Sequence, residues 1–357
     1  MKKLIALLFC LLVILPGCSK YEKKPPKNSA VPGQITENAT PAATTSSNKD
    51  LEELLEDAIK EKNLPVQAIG LENPKEHMTK VFQGELGKIT IDADVFVPTG
   101  ECYHYDLKKY EFNMEEVLSI FFEGGTPSTN HNSSYFIYEM NQKGIYYKLM
   151  KGRSENGFTF LKLPDNKTAD LEFYQKISTE EAAKAAIDVL EMLNIEVSPY
   201  YIVKNIEDLA GLPAYEFTFY PQRGNVRATD KLYDMSKTSP RSTEGENIWV
   251  KYSQNGVSYV GIGSYREVTN TGETYKMDDL YTVEEACEFL QEELDLWGFD
   301  YDKTFRMVSL IYAPTQEKGS KEVDGIYSLF WEFSPEETSD QVERYIVDAT
   351  TGRVFYH

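Results

Sequence analysis

Polar and apolar positions fall into a few clear patterns along this chain, the first being an unbroken apolar run over residues 4–15 behind Lys2 and Lys3. That run is too short to span a bilayer as a helix, and it has the charge and length of a signal-peptide core. Helical spacing comes next: Leu51, Leu54, Leu55, Ala58 and Ile59 share one face, and Leu64-Pro65 ends the pattern. Strict alternation follows. Ile89, Ile91, Ala93 and Val95 line one face of a strand, with Thr90, Asp92 and Asp94 on the other.

A helix-start signature then recurs three times. Asn113, Ser178 and Thr282 each stand three residues before a glutamate, the capping-box spacing. The paired glutamates Glu115/Glu116, Glu180/Glu181 and Glu284/Glu285 fall in the first turn, where the helix dipole favours negative charge. After the second and third signatures come matching strands, with Tyr215, Phe217 and Phe219 in one and Leu329, Trp331 and Phe333 in the other alternating onto a single face. Hairpins succeed both, turning at Asn255-Gly256 and over residues 348–352. The first signature is followed by a hairpin over 135–149 that turns near Gly144.

These patterns predict an α+β protein of repeated helix-plus-antiparallel-sheet modules, preceded by a disordered linker. The expected divisions are a signal peptide over 1–17, a tether over 18–50, an N-terminal α+β domain over 51–170, and helix-plus-sheet units over 171–280 and 281–357. The tether is rich in Ser, Thr, Asn, Ala and Pro; as a flexible coil, about 32 residues reach roughly 30 Å, or about 100 Å when drawn out as polyproline II.

Two resemblances add to this reading. Leu15-Pro16-Gly17-Cys18 resembles a bacterial lipobox, in which cleavage after the small residue leaves the cysteine as the lipidated first residue of the mature chain. Cys18 would then carry the lipid, with Leu15, Pro16 and Gly17 as its recognition residues. Two or three acyl chains hold a soluble domain far better than one, because each buried methylene contributes about 0.8 kcal/mol. The stretch from Thr282 to the ending Tyr345-Ile346-Val347-Asp348-Ala349-Thr350-Thr351-Gly352-Arg353-Val354 resembles a PepSY-type module, and the whole chain is similar to uncharacterised lipoproteins of Gram-positive anaerobes. PepSY-type modules are associated with inhibitory or regulatory roles toward proteases and other envelope proteins, and the resemblance implies no catalytic residues.

Charge sharpens the picture. The formal net charge is -20, which opposes binding to nucleic acid, since that affinity rests on Lys and Arg displacing counterions. Lys20, Lys23, Lys24 and Lys27 nevertheless cluster directly after Cys18, where they either reinforce attachment to an anionic leaflet or simply solubilise the tether. Of four cysteines, Cys10 leaves with the signal and Cys18 takes lipid, so one disulfide between Cys102 and Cys287 is arithmetically open. Cys287 also lies on the apolar stripe of Val283, Ala286, Leu290, Leu294 and Trp297, the usual place for a buried inert thiol.

No catalytic or metal-binding constellation is expected, and no cofactor. His77, His104, His131 and His357 are too scattered for a paired-His zinc motif. Asp300-Tyr301-Asp302 begins like an EF-hand loop, yet Phe305 and Ile311 occupy its glycine and glutamate positions. Asp92 and Asp94 read either as paired catalytic carboxylates or as the solvated face of a half-buried strand. Tyr103/Tyr105, Tyr146/Tyr147, Tyr200/Tyr201 and Trp249/Tyr252/Tyr259 read either as a sugar- or peptide-binding platform or as core and cross-strand pairs. The expectation is therefore a membrane-anchored extracytoplasmic lipoprotein, facing outward, that binds or regulates an envelope protein or peptide without catalysis. An envelope hydrolase using dispersed acids and a carbohydrate- or solute-binding lipoprotein are the alternatives.

Overall fold

The computed structural model describes residues 67–69 and 74–356, except 154–156, 166–167, 171, 230–231, 235–241, 244–247, 264, 299, 317–324 and 336–343. Leu15, Pro16, Gly17, Cys18, the tether and the helix expected from Leu51 lie outside the described residues.

Two large sheets of ten strands each dominate. Across the first run β1 (Gln67–Ile69), β9 (Val197–Glu207), β10 (Pro213–Arg223), β14 (Ile248–Ser253), β15 (Gly256–Ile262), β8 (Phe158–Pro164), β7 (Ile145–Gly152), β6 (Tyr135–Gln142) and β5 (Ser128–His131), all antiparallel. The short β11 (Val226–Arg227) pairs with β10. In the second sheet the long β17 (Tyr301–Gln316) and β18 (Gly325–Pro335) form a central antiparallel pair. β3 (Gly87–Phe96) runs parallel to the first half of β17, and β2 (Glu76–Gln83) lies outside it. β18 pairs along one stretch with β4 (Tyr103–Lys109), which carries β16 (Arg266–Thr274), and along another with β19 (Tyr345–Asp348), which carries β20 (Val354–Tyr356). β12 (Leu232–Asp234) and β13 (Ser242–Thr243) extend the far end of β17.

Among the described residues there are four α-helices: α1 (Met114–Phe121), α2 (Phe173–Lys176), α3 (Thr179–Met192) and α4 (Val283–Trp297). The capping signatures locate three of them. Ser178 Oγ accepts the Glu181 N–H at 3.2 Å while the Glu181 carboxylate accepts the Ser178 N–H at 3.0 Å, and Thr282 and Glu285 repeat the exchange at 3.2 and 2.8 Å. Asn113 caps α1 differently, accepting the N–H of Glu115 at 3.1 Å. α3 stops at Asn194, which adopts the left-handed conformation while Ile195 N–H returns to the Leu190 carbonyl. α4 ends the same way on Gly298, at φ 73°.

The expectation of repeated helix-plus-sheet modules is overturned. The described residues are mostly β, in two large sheets with four α-helices among them, and the sheets do not follow the sequence in modules. Strands from residues 76–109 hydrogen-bond into the sheet built around β17 and β18, and strands from 128–164 complete the sheet built around β9 and β10. The parallel β3–β17 contact joins residues more than two hundred positions apart, which local periodicity does not reveal. Gly87 permits its tight start: a Cβ there would lie 1.8 Å from the Tyr301 carbonyl oxygen.

Each sheet buries an apolar face under helices. Ala182, Ala183, Ala186 and Leu190 of α3 pack on Tyr201, Val203, Phe217, Val250 and Val260 of the first sheet. Ala286, Cys287, Leu290 and Leu294 of α4 pack on Ile89, Ile91, Ala93, Phe305 and Phe333 of the second. The two sheets also meet. Tyr200 and Tyr220 of the first cluster with Met307 of the second, beside a buried charge group in which Glu332 receives Arg227 at 2.5 Å and Arg344 at 3.2 Å. Arg344 also donates to Tyr220 Oη at 2.8 Å, and Arg227 lies over the Tyr200 ring at 4.4 Å. Burial by itself would lower the Arg227 pKa; the Glu332 carboxylate and the phenols outweigh it, so both arginines are held above the usual guanidinium value.

Candidate functional site

The feature most suited to receive a partner is a partly enclosed groove of about 500 Å³ at the start of β2, bounded by the end of β3 and by the segment leading into α4. Its position follows from local sequence. Thr282 caps α4 and so fixes the preceding chain, Tyr281 N–H donates to the Ala349 carbonyl at 2.8 Å, and the Trp331 indole donates to the Tyr281 carbonyl at 2.7 Å. The groove is lined by apolar Met78, Val95, Val97, Leu280, Val283 and Trp331, with Lys75, Glu76, Asp278 and Glu284 among its charged residues. Glu284 is held by Lys80 at 3.0 Å.

Strand alternation turns neighbouring side chains of β2 to opposite faces. Met78 packs toward the helix-covered core, whereas the His77 ring meets Asp94 through Nδ1 at 2.9 Å and Asp92 through Nε2 at 3.1 Å. Arg306 of β17 also pairs with Asp92. Asp92 and Asp94 therefore do stand side by side on the solvent face of β3, and a histidine and an arginine occupy them. His77 is the residue the sequence did not single out; its register opposite Asp94 needs the β2–β3 pairing, and a lone histidine in sequence gives no sign of it. Among the described residues no cluster of three or more His, Cys, Asp or Glu is arranged to hold a metal ion.

The other candidates separate. Cys102 and Cys287 are buried free thiols, so the open disulfide is not made, and burial pushes the Cys287 thiol far up, as expected of an inert core group. Asp300-Tyr301-Asp302 leads into β17 rather than into a calcium loop. Tyr105, Tyr147, Tyr200 and Tyr201 are buried in the cores, while Trp249, Tyr252 and Tyr259 are half-buried on the hairpin of β14 and β15. No shared aromatic platform assembles from them. Tyr146 donates to Glu139, and burial together with that carboxylate raises its pKa to about 12. No helix among the described residues is long and apolar enough to cross a membrane.

Comparison with known proteins adds little to this geometry. No family model matches the chain, and no curated protein matches it. Among solved structures, an uncharacterised protein from Eubacterium rectale ATCC 33656 is similar at 13% identity and TM-score 0.48, over 85% of this chain and 98% of that one. The YpeB C-terminal domain of Bacillus megaterium is similar at 12% identity and TM-score 0.30, over 70% of this chain and 98% of that one. The second fits a PepSY-like module loosely. At these TM-scores neither likeness carries an argument about this chain.

Proposed function

We propose that the chain is a lipid-tethered extracytoplasmic module that binds an extended segment of an envelope protein along β2, without catalysis, and regulates that partner as the PepSY-type ending implies. One observation carries the binding half of the proposal: the apolar-lined groove opens beside a strand that, among the described residues, pairs on one side only. An edge strand offers a row of free N–H and C=O groups to an incoming extended chain, while alternate side chains of that chain enter adjoining pockets. Val81, 56% exposed on the same strand, leaves apolar surface for such a chain to cover. The tether half rests on the Lys2/Lys3, apolar-run and Gly17-Cys18 pattern of the sequence.

Two arms test the halves separately. A photoreactive amino acid at Thr79 should give a discrete adduct on intact cells that is absent when the probe stands at Leu209, an exposed position in the turn between β9 and β10 of the other sheet, and that Leu280→Lys abolishes. Identical adducts at both positions, or none at either, remove the groove from the proposal. In the second arm a fatty-acid analogue should label the wild type and not Cys18→Ala; equal labelling removes the tether.

A further inference from the structure

β4 and β16 are antiparallel neighbours, and their register places two charged pairs side by side. On the outward face exposed Lys108 lies opposite exposed Glu267. On the inward face, which continues through Leu107 and Val268, Lys109 lies opposite Arg266. Residues directly opposed in this way have Cβ atoms about 5 Å apart, where unlike charges stabilise the pair and like charges destabilise it. One face follows that rule and the other breaks it.

Arg266 is not a solvated surface arginine. It is 9% exposed, and its Nε is sealed from solvent with no hydrogen-bond partner. Neither its guanidinium nor the Lys109 ammonium has an acidic partner among the described residues. A third cation backs the pair: Arg223, 4% exposed, donates from Nη2 to the Arg266 carbonyl oxygen at 3.2 Å and lies over the Tyr265 and Tyr327 rings at 5.0 and 5.6 Å. Sealing a guanidinium N–H without a partner is unfavourable, and an anion bound beside it would offset that cost.

We infer that Arg266 and Lys109 form a binding site for a phosphate-class oxyanion, free or esterified. Arg266 supplies a planar fork suited to two oxygens, Lys109 a compact point charge, and together their two positive charges balance a phosphate dianion. The site lies where the chain passes between the sheets. Arg223 ends β10 of the first sheet, and Tyr265 stands between β15 of the first and β16 of the second. An anion held there ties β4 to β16 of the second sheet, beside the Arg223 contact from the first, so its binding is linked to the stability of that strand pair. This site is separate from the groove at β2 and does not depend on the role proposed for it.

The test is a thermal melt of the full chain in detergent, with inorganic phosphate replacing chloride at constant ionic strength and glycerol 3-phosphate in a parallel series. A saturable rise in melting temperature of about 2–4 °C is expected. Lys108→Gln should keep it, and Lys109→Gln and Arg266→Gln should weaken the apparent affinity at least tenfold. A response to both anions assigns a site open to phosphate esters; a response to inorganic phosphate alone assigns the free ion. Should Arg266→Gln fail to fold, Lys109→Glu decides, because it supplies the missing counter-charge: it should raise the phosphate-free melting temperature and abolish the response. No saturable response in the wild type, or an unchanged response in Lys109→Gln and Lys109→Glu, overturns the site.

Discussion

Glu332 shows how burial decides what a charge is worth. Its side chain is 4% exposed and answers two arginines whose own side chains are 7% and 10% exposed. Removing one member of such a group leaves buried charge uncompensated, which costs about 3–5 kcal/mol. Glu332→Gln should therefore lower the urea midpoint by that equivalent. Arg306→Gln, which breaks the Asp92 pair at side chains 43% and 41% exposed, should cost less than about 1 kcal/mol. Equal losses in the two variants would contradict the assignment of Glu332 as the buried hub. The sequence hides this hub for a physical reason. Alternation marks Leu329, Trp331 and Phe333 as the core face and so sends Glu332 to solvent, but both faces of β18 are covered, as Phe330 at 0% exposure also shows. Arg227 comes from a stretch 105 residues away and Arg344 from 12 residues on, and no local pattern links either to Glu332.

At the scale of elements, the local signals were legible and the long-range ones were not. The capping residues at 178 and 282 start helices with both reciprocal bonds, and the alternating runs at 89–95, 215–219 and 329–333 are strands. The same local reading found Asp92 and Asp94 on one face and missed His77 and Arg306, which other strands bring to them. β9, β10 and β14 illustrate a pairing that only the sheet creates: Glu216 lies in register between Lys204 and Lys251 and accepts from both at 2.9 Å. Burial would raise the Glu216 pKa, but the two lysines outweigh it and hold the carboxyl below its ordinary value near 4.5. A carboxylate lowered on folding contributes stability that is fully present above its unfolded pKa and is lost as pH falls through the folded one. The wild type should consequently lose stability below about pH 4.5, and Glu216→Gln should flatten that part of the curve while lowering stability at pH 7. Urea midpoints measured from pH 7 to pH 3 check this, and parallel curves for the two proteins would be the contrary result.

For the whole molecule, the decisive fact is that neighbours in space are not neighbours in sequence. A reading in modules treats residues 281–357 as a unit able to stand alone. In the fold, α4 of that stretch covers Ile89, Ile91, Ala93 and Val95 from β3 as well as its own strands, and β17 presents to β3 an edge that would otherwise be bare. Cutting the chain before 281 exposes that apolar face and leaves the backbone groups of half of β17 unpaired, both of which oppose folding. Residues 281–357 expressed alone should show no cooperative thermal transition and no near-ultraviolet circular dichroism, and should bind a hydrophobic dye. Adding back residues 74–109 on the same polypeptide restores β3 beside β17, β4 beside β18 and β2 outside β3, and should recover a cooperative transition. A cooperative melt of the isolated 281–357 stretch would mean that the contacts with β3 are dispensable and that α4 and its own strands suffice for a core.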